Sequence, residues 1–184
     1  MMTKLPENFE LDRYGLHVRL VREEDAEFIV KLRTNSQNAR FIGHTDNDVS
    51  KQIEWIREYK KREEDGTDYY FIFGAGNELF GVCRIYNITL RSFTTGSWVF
   101  KSDAPKSAAI KASLITNEIA WNLFPDSVQY FDTRKENLAV VRYNKMLADI
   151  VREDEDTFYF ETTKSLFEKR SSCLYRMVIN SKNI

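Results

Sequence analysis

Residues 128–147 read Val-Gln-Tyr-Phe-Asp-Thr-Arg-Lys-Glu-Asn-Leu-Ala-Val-Val-Arg-Tyr-Asn-Lys-Met-Leu, and this stretch decides the fold. Its first part, Val128 to Thr133, has the composition of a short buried strand. A charged turn comes next and ends at Asn137, a residue suited to open a helix because its side chain can satisfy a free N–H group of the first turn. Beyond it, Val140, Tyr143 and Leu147 recur at helical spacing and give an amphipathic helix one apolar face. Strand, Asn and helix therefore form a single corner.

Composition narrows the alternatives. With 184 residues the chain is long enough for one core of useful size. Its 27 basic and 28 acidic residues leave a net charge of −1, so no basic stripe argues for nucleic acid or an anionic membrane surface. The run Lys60-Lys61-Arg62 is balanced at once by Glu63-Glu64-Asp65, as on a solvated helix end. Cys83 and Cys173 lie far apart and only two His are present, a poor donor set for zinc, so no metal is expected. Met1 to Tyr14 has charges of both signs and no apolar leader segment, and no apolar run suits a membrane span. The expectation is a soluble, cytoplasmic protein with reduced thiols.

No repeat or low-complexity linker interrupts the chain, which reads as one domain over 1–184 with a polar N-terminal extension, 1–14. Leu16 to Val21 alternates as a half-buried strand. Glu23, Glu24 and Asp25 place acid at the start of a helix running to about Asn35, favourable for its dipole. After a loop holding His44, a second helix runs from about Val49 to Arg62, capped by Asp48 or Ser50. Tyr69 to Phe73 and Leu79 to Ile88 form antiparallel strands around the glycine turn Gly74-Ala75-Gly76-Asn77. A polar link, Thr89 to Phe93, leads to a strand Thr95 to Phe100, and then a helix runs from Ser107 to about Leu123. Beyond the 128–147 corner come a strand pair, Ile150-Val151 and Thr157 to Glu161, and a terminal helix within 163–184. The aromatic residues there (Phe158, Tyr159, Phe160, Phe167, Tyr175) suit either core or a homodimer face. The class is mixed α+β, with helices on both faces of one central, mostly antiparallel twisted sheet.

This order of elements resembles the GNAT N-acetyltransferase superfamily over Leu16 to Glu161. Glu78-Leu-Phe-Gly81-Val is similar to the family's strand after the glycine hairpin, Gly96-Ser-Trp-Val-Phe100 to the strand feeding the cofactor loop, and Asp132 to Asn137 to its strand-to-helix corner. The nearest branches by resemblance act on ribosomal-protein N-termini or on amino groups of nucleotide-linked sugars and share a Trp-bearing second helix, as at Trp55.

The resemblance implies a cofactor and a set of site residues. The acyl donor is acetyl-CoA, whose pyrophosphate meets a helix N-terminus through a Gln/Arg-x-x-Gly-x-Gly/Ala loop. Here that loop is Ala104-Pro105-Lys106-Ser107-Ala108-Ala109, with Ser107 and Ala109 in the glycine places and Lys106 as a source of charge. A Cβ at any of these positions that needed a positive φ would be strained. Backbone around Trp98, Val99 and Phe100 would hold the thioester oxygen, and Asn137 would organise the corner and touch the pantetheine arm. Seven residues after Asn137, where the family often has Tyr, stands Asn144, which could hydrogen-bond the sulfur or hold a water. A one-residue shift would make Tyr143 the acid instead. For the base, His44 has the ordinary imidazole range and Asp132 lies at the strand end; the residues leave the choice open. Tyr86 and Arg84 would line the acceptor cleft, Arg84 facing an anionic group.

The leading expectation is direct acyl transfer to a primary amine of a small molecule, an amino-sugar nucleotide or a peptide N-terminus. The competing one is a binding module that keeps the fold without the chemistry, favoured by the glycine-free loop, Asn144 and Ala148 where the family has Gly.

Overall fold

The computed structural model describes residues 4–179. Its strands are β1 (Glu10–Arg13), β2 (Leu16–Leu20), β3 (Tyr69–Ala75), β4 (Glu78–Tyr86), β5 (Ser92–Phe100), β6 (Val128–Arg134), β7 (Asp149–Glu153) and β8 (Thr157–Thr163). They form one sheet in the order β1-β2-β3-β4-β5-β6-β8-β7. Among the described residues only the β5–β6 pair is parallel. The helices are α1 (Ala26–Thr34), α2 (Ser36–Ala39), α3 (Val49–Glu64), α4 (Ala108–Leu123), α5 (Leu138–Leu147) and α6 (Lys164–Val178).

The centre of the sheet explains the layering. In β3 the run Tyr69 to Phe73 is apolar at every position, and all five residues are buried. Alternation sends Tyr69, Phe71 and Phe73 into a core shared with α4 and α6, and Tyr70 and Ile72 into a second core shared with α1 and α3. A strand apolar on both faces thus demands helices on both faces. Asp48 Oδ1 caps α3 by accepting from the N–H groups of Ser50 and Lys51. Tyr59 and Ile56 carry the buried face of α3, while Trp55 stays at its margin, stacked on Tyr59.

Several boundaries differ from the sequence reading. The N-terminal extension contains β1, which pairs with β2 from Glu10↔Arg19 to Arg13↔Leu16. The first helix stops at Thr34, and a separate turn of helix, α2, occupies the loop behind it. The link before β5 is shorter than expected, because Ser92 and Phe93 already belong to the strand and Phe93 is wholly buried against Trp121 and Phe124. Of the aromatic residues near the C-terminus, Phe160 and Phe167 are buried. The terminal helix is described to Val178, and residues 180–184 of the expected span lie outside the described residues.

Two departures from regular pairing shape β5. Val82 pairs with Val99 but Arg84 with Gly96, so Cys83 on β4 faces two residues, Ser97 and Trp98. Ser97 sits at φ +48°, the left-handed region such a bulge requires, at a cost of about 1 kcal/mol or more for a residue with a Cβ. Further along, Gly81 lets the end of β5 close on β4: a Cβ there would fall on the Phe100 ring and 2.5 Å from the Val99 carbonyl oxygen. Gly81→Ala should therefore destabilise by about 1–3 kcal/mol. A thermal midpoint equal to wild type would contradict this packing.

Candidate active site

β5 and β6 pair only over Ser92–Thr94 and Val128–Tyr130. Beyond that vertex β5 runs along β4 and β6 along β8, so the facing edges separate. A cleft of about 480 Å³ opens there and passes through the sheet. On the α4 and α5 side it is walled by Ser113, Asn117, Tyr143 and Asn144, and on the opposite side by Arg33, Tyr86 and Asp132. Gln129 ties the vertex, its Nε2 donating to Thr95 Oγ1 at 2.7 Å.

Asn144 is buried, and its Nδ2 donates to Thr133 Oγ1 at 2.7 Å. The carboxamide is thereby anchored to β6 at the cleft wall. Tyr143 lines the cleft and also packs against the core, its ring 4.9 Å from that of Trp98. Its hydroxyl donates to Ser113 Oγ at 3.0 Å. Burial pushes the Tyr143 phenol well above its ordinary value, so it stays protonated and donates a hydrogen bond but gives up its proton reluctantly.

Asn137 caps α5, accepting from Val140 N at 3.4 Å, and lines the cleft. Trp98 Nε1 donates to the Ala109 carbonyl at 2.9 Å, tying the bulged part of β5 to the first turn of α4. Val99 is buried in the α1/α3 core, and the Phe100 ring packs near Phe73, so neither side chain lines the cleft; what they offer is backbone. Ala108 is buried, Ser107 and Ala109 are half-buried, and Lys106 is exposed. Ser107 is the residue before α4 and makes no side-chain cap, so the dipole end of this helix carries no side-chain acceptor. No residue of 104–109 has a positive φ, so the Cβ atoms of Ser107 and Ala109 cost no backbone strain.

His44 is 87% exposed, pairs with Asp46 at 3.2 Å and does not line the cleft, although its neighbour Gly43 does. Asp132 lines it. As a residue Asp132 is exposed, yet partial desolvation raises its carboxyl above the ordinary value. Opposite stands Tyr86, whose phenol is raised first by burial and then by the charge of Asp132. Gly96 leaves room for that ring: a Cβ would stand 3.0 Å from the Tyr86 hydroxyl oxygen. Arg84 lines the cleft too, but Asp68 accepts from its Nε at 2.7 Å and from its Nη2, and the guanidinium lies between the rings of Trp55 and Tyr86. Committed to a buried carboxylate, it is a support for Tyr86 rather than a free anion site. Gln129, Thr133, Ser113 and Asn117 do not stand out in the sequence. Their only signal there is polarity at the inward positions of β6 and on the apolar helix α4. Among the described residues no group of three His, Cys, Asp or Glu is placed to hold a metal, and no helix is long and apolar enough to cross a membrane.

Known proteins share this architecture. The profile of the acetyltransferase (GNAT) domain matches residues 16–146. Among solved structures, the apo form of FdhC, described as a nucleotide-linked sugar GNAT, is 32% identical with a TM-score of 0.81, covering 94% of this chain and 99% of its own. Ribosomal-protein-S5-alanine acetyltransferase from Vibrio fischeri (14% identity, TM-score 0.74, 85% and 97% coverage) shares the fold. So does Mycobacterium smegmatis RimJ in complex with CoA-disulfide (18%, 0.71, 89% and 91%). No curated protein sequence matches the chain.

The Asn144–Thr133 bond gives a direct test of the cleft wall. Asn144→Leu or Thr133→Val alone should each cost about 1–3 kcal/mol, because each strands a buried polar partner. The double variant should cost less than the sum, and additivity in a denaturation cycle would show that the two do not pair.

Proposed function

The chain belongs to the acetyltransferase (GNAT) family, and we propose that it transfers an acyl group from an acyl-CoA directly to the primary amine of a nucleotide-linked amino sugar. The observation that carries the acyl-CoA part is the cleft where β5 and β6 separate, walled on one side by Ser113 and Asn117 of α4. A thioester arm laid between the separated strands finds unpaired backbone groups along β5, and the pyrophosphate finds the free N–H groups and positive dipole end of α4. Lys106 adds charge beside that end. The acceptor part rests on the likeness to the nucleotide-linked sugar GNAT over nearly the whole chain. It is supported by Arg33, which lines the cleft and bonds neutral groups, the Thr45 hydroxyl and the Gly43 carbonyl, leaving its charge available to a diphosphate.

In this reading the amine enters on the side of Tyr86 and Asp132. Asp132 takes the proton as the nitrogen attacks the thioester carbon, and backbone N–H groups of the bulge at Ser97 to Phe100 steady the oxygen as it becomes anionic. The C–N bond forms as the C–S bond breaks. Asn144, anchored by Thr133, donates to the departing sulfur, and Tyr143 holds Trp98 and Ser113 in place.

Two measurements test this chemistry. Acetyl-CoA or free CoA at a hundred times its dissociation constant should stabilise the protein by about 2.7 kcal/mol, seen as a midpoint raised by several degrees. No shift at millimolar concentration would remove the acyl-CoA reading and favour a binding module. Asp132→Asn should abolish the rise of kcat/KM with pH that tracks the raised carboxyl. The sign for stability is opposite to that of a paired acid. A carboxyl raised in the folded state costs stability once ionised, so the variant should match or exceed wild type at neutral pH, the difference vanishing in acid. A variant markedly less stable at neutral pH would contradict this environment.

A further inference from the structure

On the side of the cleft away from α4 and α5, two polar groups face one another with no partner of their own. Tyr86 of β4 and Asp132 of β6 both line that side. They stand close enough for the carboxylate charge to add to burial in raising the Tyr86 phenol. Among the described residues nothing hydrogen-bonds the Tyr86 hydroxyl, and nothing pairs with the Asp132 carboxylate. Their polar neighbours are used within the protein. Tyr159 donates to Asp154 at 2.8 Å, Arg134 pairs with Asp156, and Arg84 is bound to Asp68.

The Tyr86 ring is nevertheless held firmly. It lies two residues beyond Arg84 on β4, so both side chains leave the same face of the sheet. The Arg84 guanidinium is 4.8 Å from the centroid of the Tyr86 ring and 5.1 Å from that of Trp55. Trp55 stacks in turn on buried Tyr59, with centroids 5.8 Å apart. Asp68, 2% exposed, accepts from Arg84 Nε at 2.7 Å and from Arg62 Nε at 3.0 Å, which fixes the guanidinium in place. On the neighbouring strand Gly96 pairs with Arg84 and leaves the space that the ring fills. A Cβ there would stand 3.0 Å from both Cε1 and the hydroxyl oxygen of Tyr86. A stack anchored in a buried ion pair thus ends in a single phenol hydroxyl with nothing to bond. The charge of Arg84 acts on that phenol in the direction that strengthens it as a donor.

The two groups select a ligand by their chemistry. Asp132 accepts from the N–H of an incoming amine, and Tyr86 needs an oxygen beside that nitrogen. A hydroxyl on the adjacent carbon meets the need, because it holds nitrogen and oxygen side by side and accepts from the phenol. We propose that Tyr86 is an acceptor-specificity residue whose hydroxyl donates to a sugar hydroxyl vicinal to the reacting amine, and that Arg84 is the residue that positions it. The proposal rests on the amino-sugar reading and narrows its acceptor to a vicinal amino alcohol. The sugar hydroxyl is a spectator: the C–N bond forms and the C–S bond breaks as before. A site built to hydrogen-bond a substrate hydroxyl discriminates against the analogue lacking it, because its own polar group is then left unpaired.

The experiment follows CoA release from acetyl-CoA on the full chain with UDP-linked amino hexoses, each beside its analogue lacking the hydroxyls next to the amine. Free CoA affinity is measured alongside by calorimetric titration. In wild type the hydroxylated acceptor should exceed its deoxy analogue by about 10-fold or more in kcat/KM. Tyr86→Phe keeps the ring and should collapse that ratio, mainly by raising KM for the hydroxylated acceptor, with free CoA affinity as in wild type. Arg84→Lys keeps the charge but loses the flat guanidinium behind the ring, and should shrink the ratio in the same direction. Equal treatment of the two acceptors by wild type overturns the proposal without either variant. So does an equal loss on both acceptors in Tyr86→Phe, which would assign the phenol to the chemistry or to the fold. An Arg84→Lys protein with the wild-type ratio removes the positioning role. Turnover of amino sugars with no hydroxyl preference leaves the amino-sugar reading standing, whereas free CoA binding with no sugar nucleotide acylated removes that reading and the proposal together.

Discussion

The ladder between β5 and β6 ends after three residue pairs, and the rest of the site depends on that interruption. Two parallel strands in the middle of a sheet would ordinarily continue, since each unpaired backbone group forgoes a hydrogen bond. Here each strand is held by its outer neighbour. β4 carries β5 through the bulge to Phe100, and β8 pairs with β6 along its whole length. The inner edges are left facing one another across a cleft, lined with N–H and C=O groups that a ligand backbone can use.

Keeping that gap open requires both ends to be fixed. At the vertex the Gln129–Thr95 bond ties the strands where they part. At the far end Trp98 joins β5 to α4 through the Ala109 carbonyl, while Asn144 joins α5 to β6 through Thr133. The acceptor side has its own scaffold: Asp68, buried under α3, receives Arg62 and Arg84, and Arg84 in turn lies over Trp55 and Tyr86. A charged group thus serves to position an aromatic wall, an arrangement sensible only where the guanidinium is paired as it is buried.

Much of this is legible in the sequence, for physical reasons that differ by element. β3 declares itself because Tyr69 to Phe73 is apolar throughout, and the helix after Asn137 because an Asn stands ahead of a helical apolar period. β1 escapes notice because an exposed edge strand of four residues, Glu-Leu-Asp-Arg, has no buried face to impose alternation. The first residues of β5 escape because Ser92 and the preceding Thr and Arg look like loop, and only the tertiary packing of Phe93 on Trp121 draws them into the sheet. Among site residues, Asn144, Asn137 and Trp98 emerge through their offsets from the corner, whereas His44 is placed by chain position alone and faces solvent beside Asp46. Gln129 and Asn117 are invisible for a plainer reason. Their place in the cleft wall is set by tertiary packing, a property of three dimensions.

Whether the separated edges of β5 and β6 receive the acyl-CoA arm can be read from the backbone groups themselves, by amide hydrogen exchange with and without saturating CoA. Slowed exchange along Thr95–Phe100, with the first turn of α4, is the expected result. Unchanged exchange there, with protection appearing instead in the groove between α1 and the β3–β4 turn around Leu32 and Asn77, would contradict it.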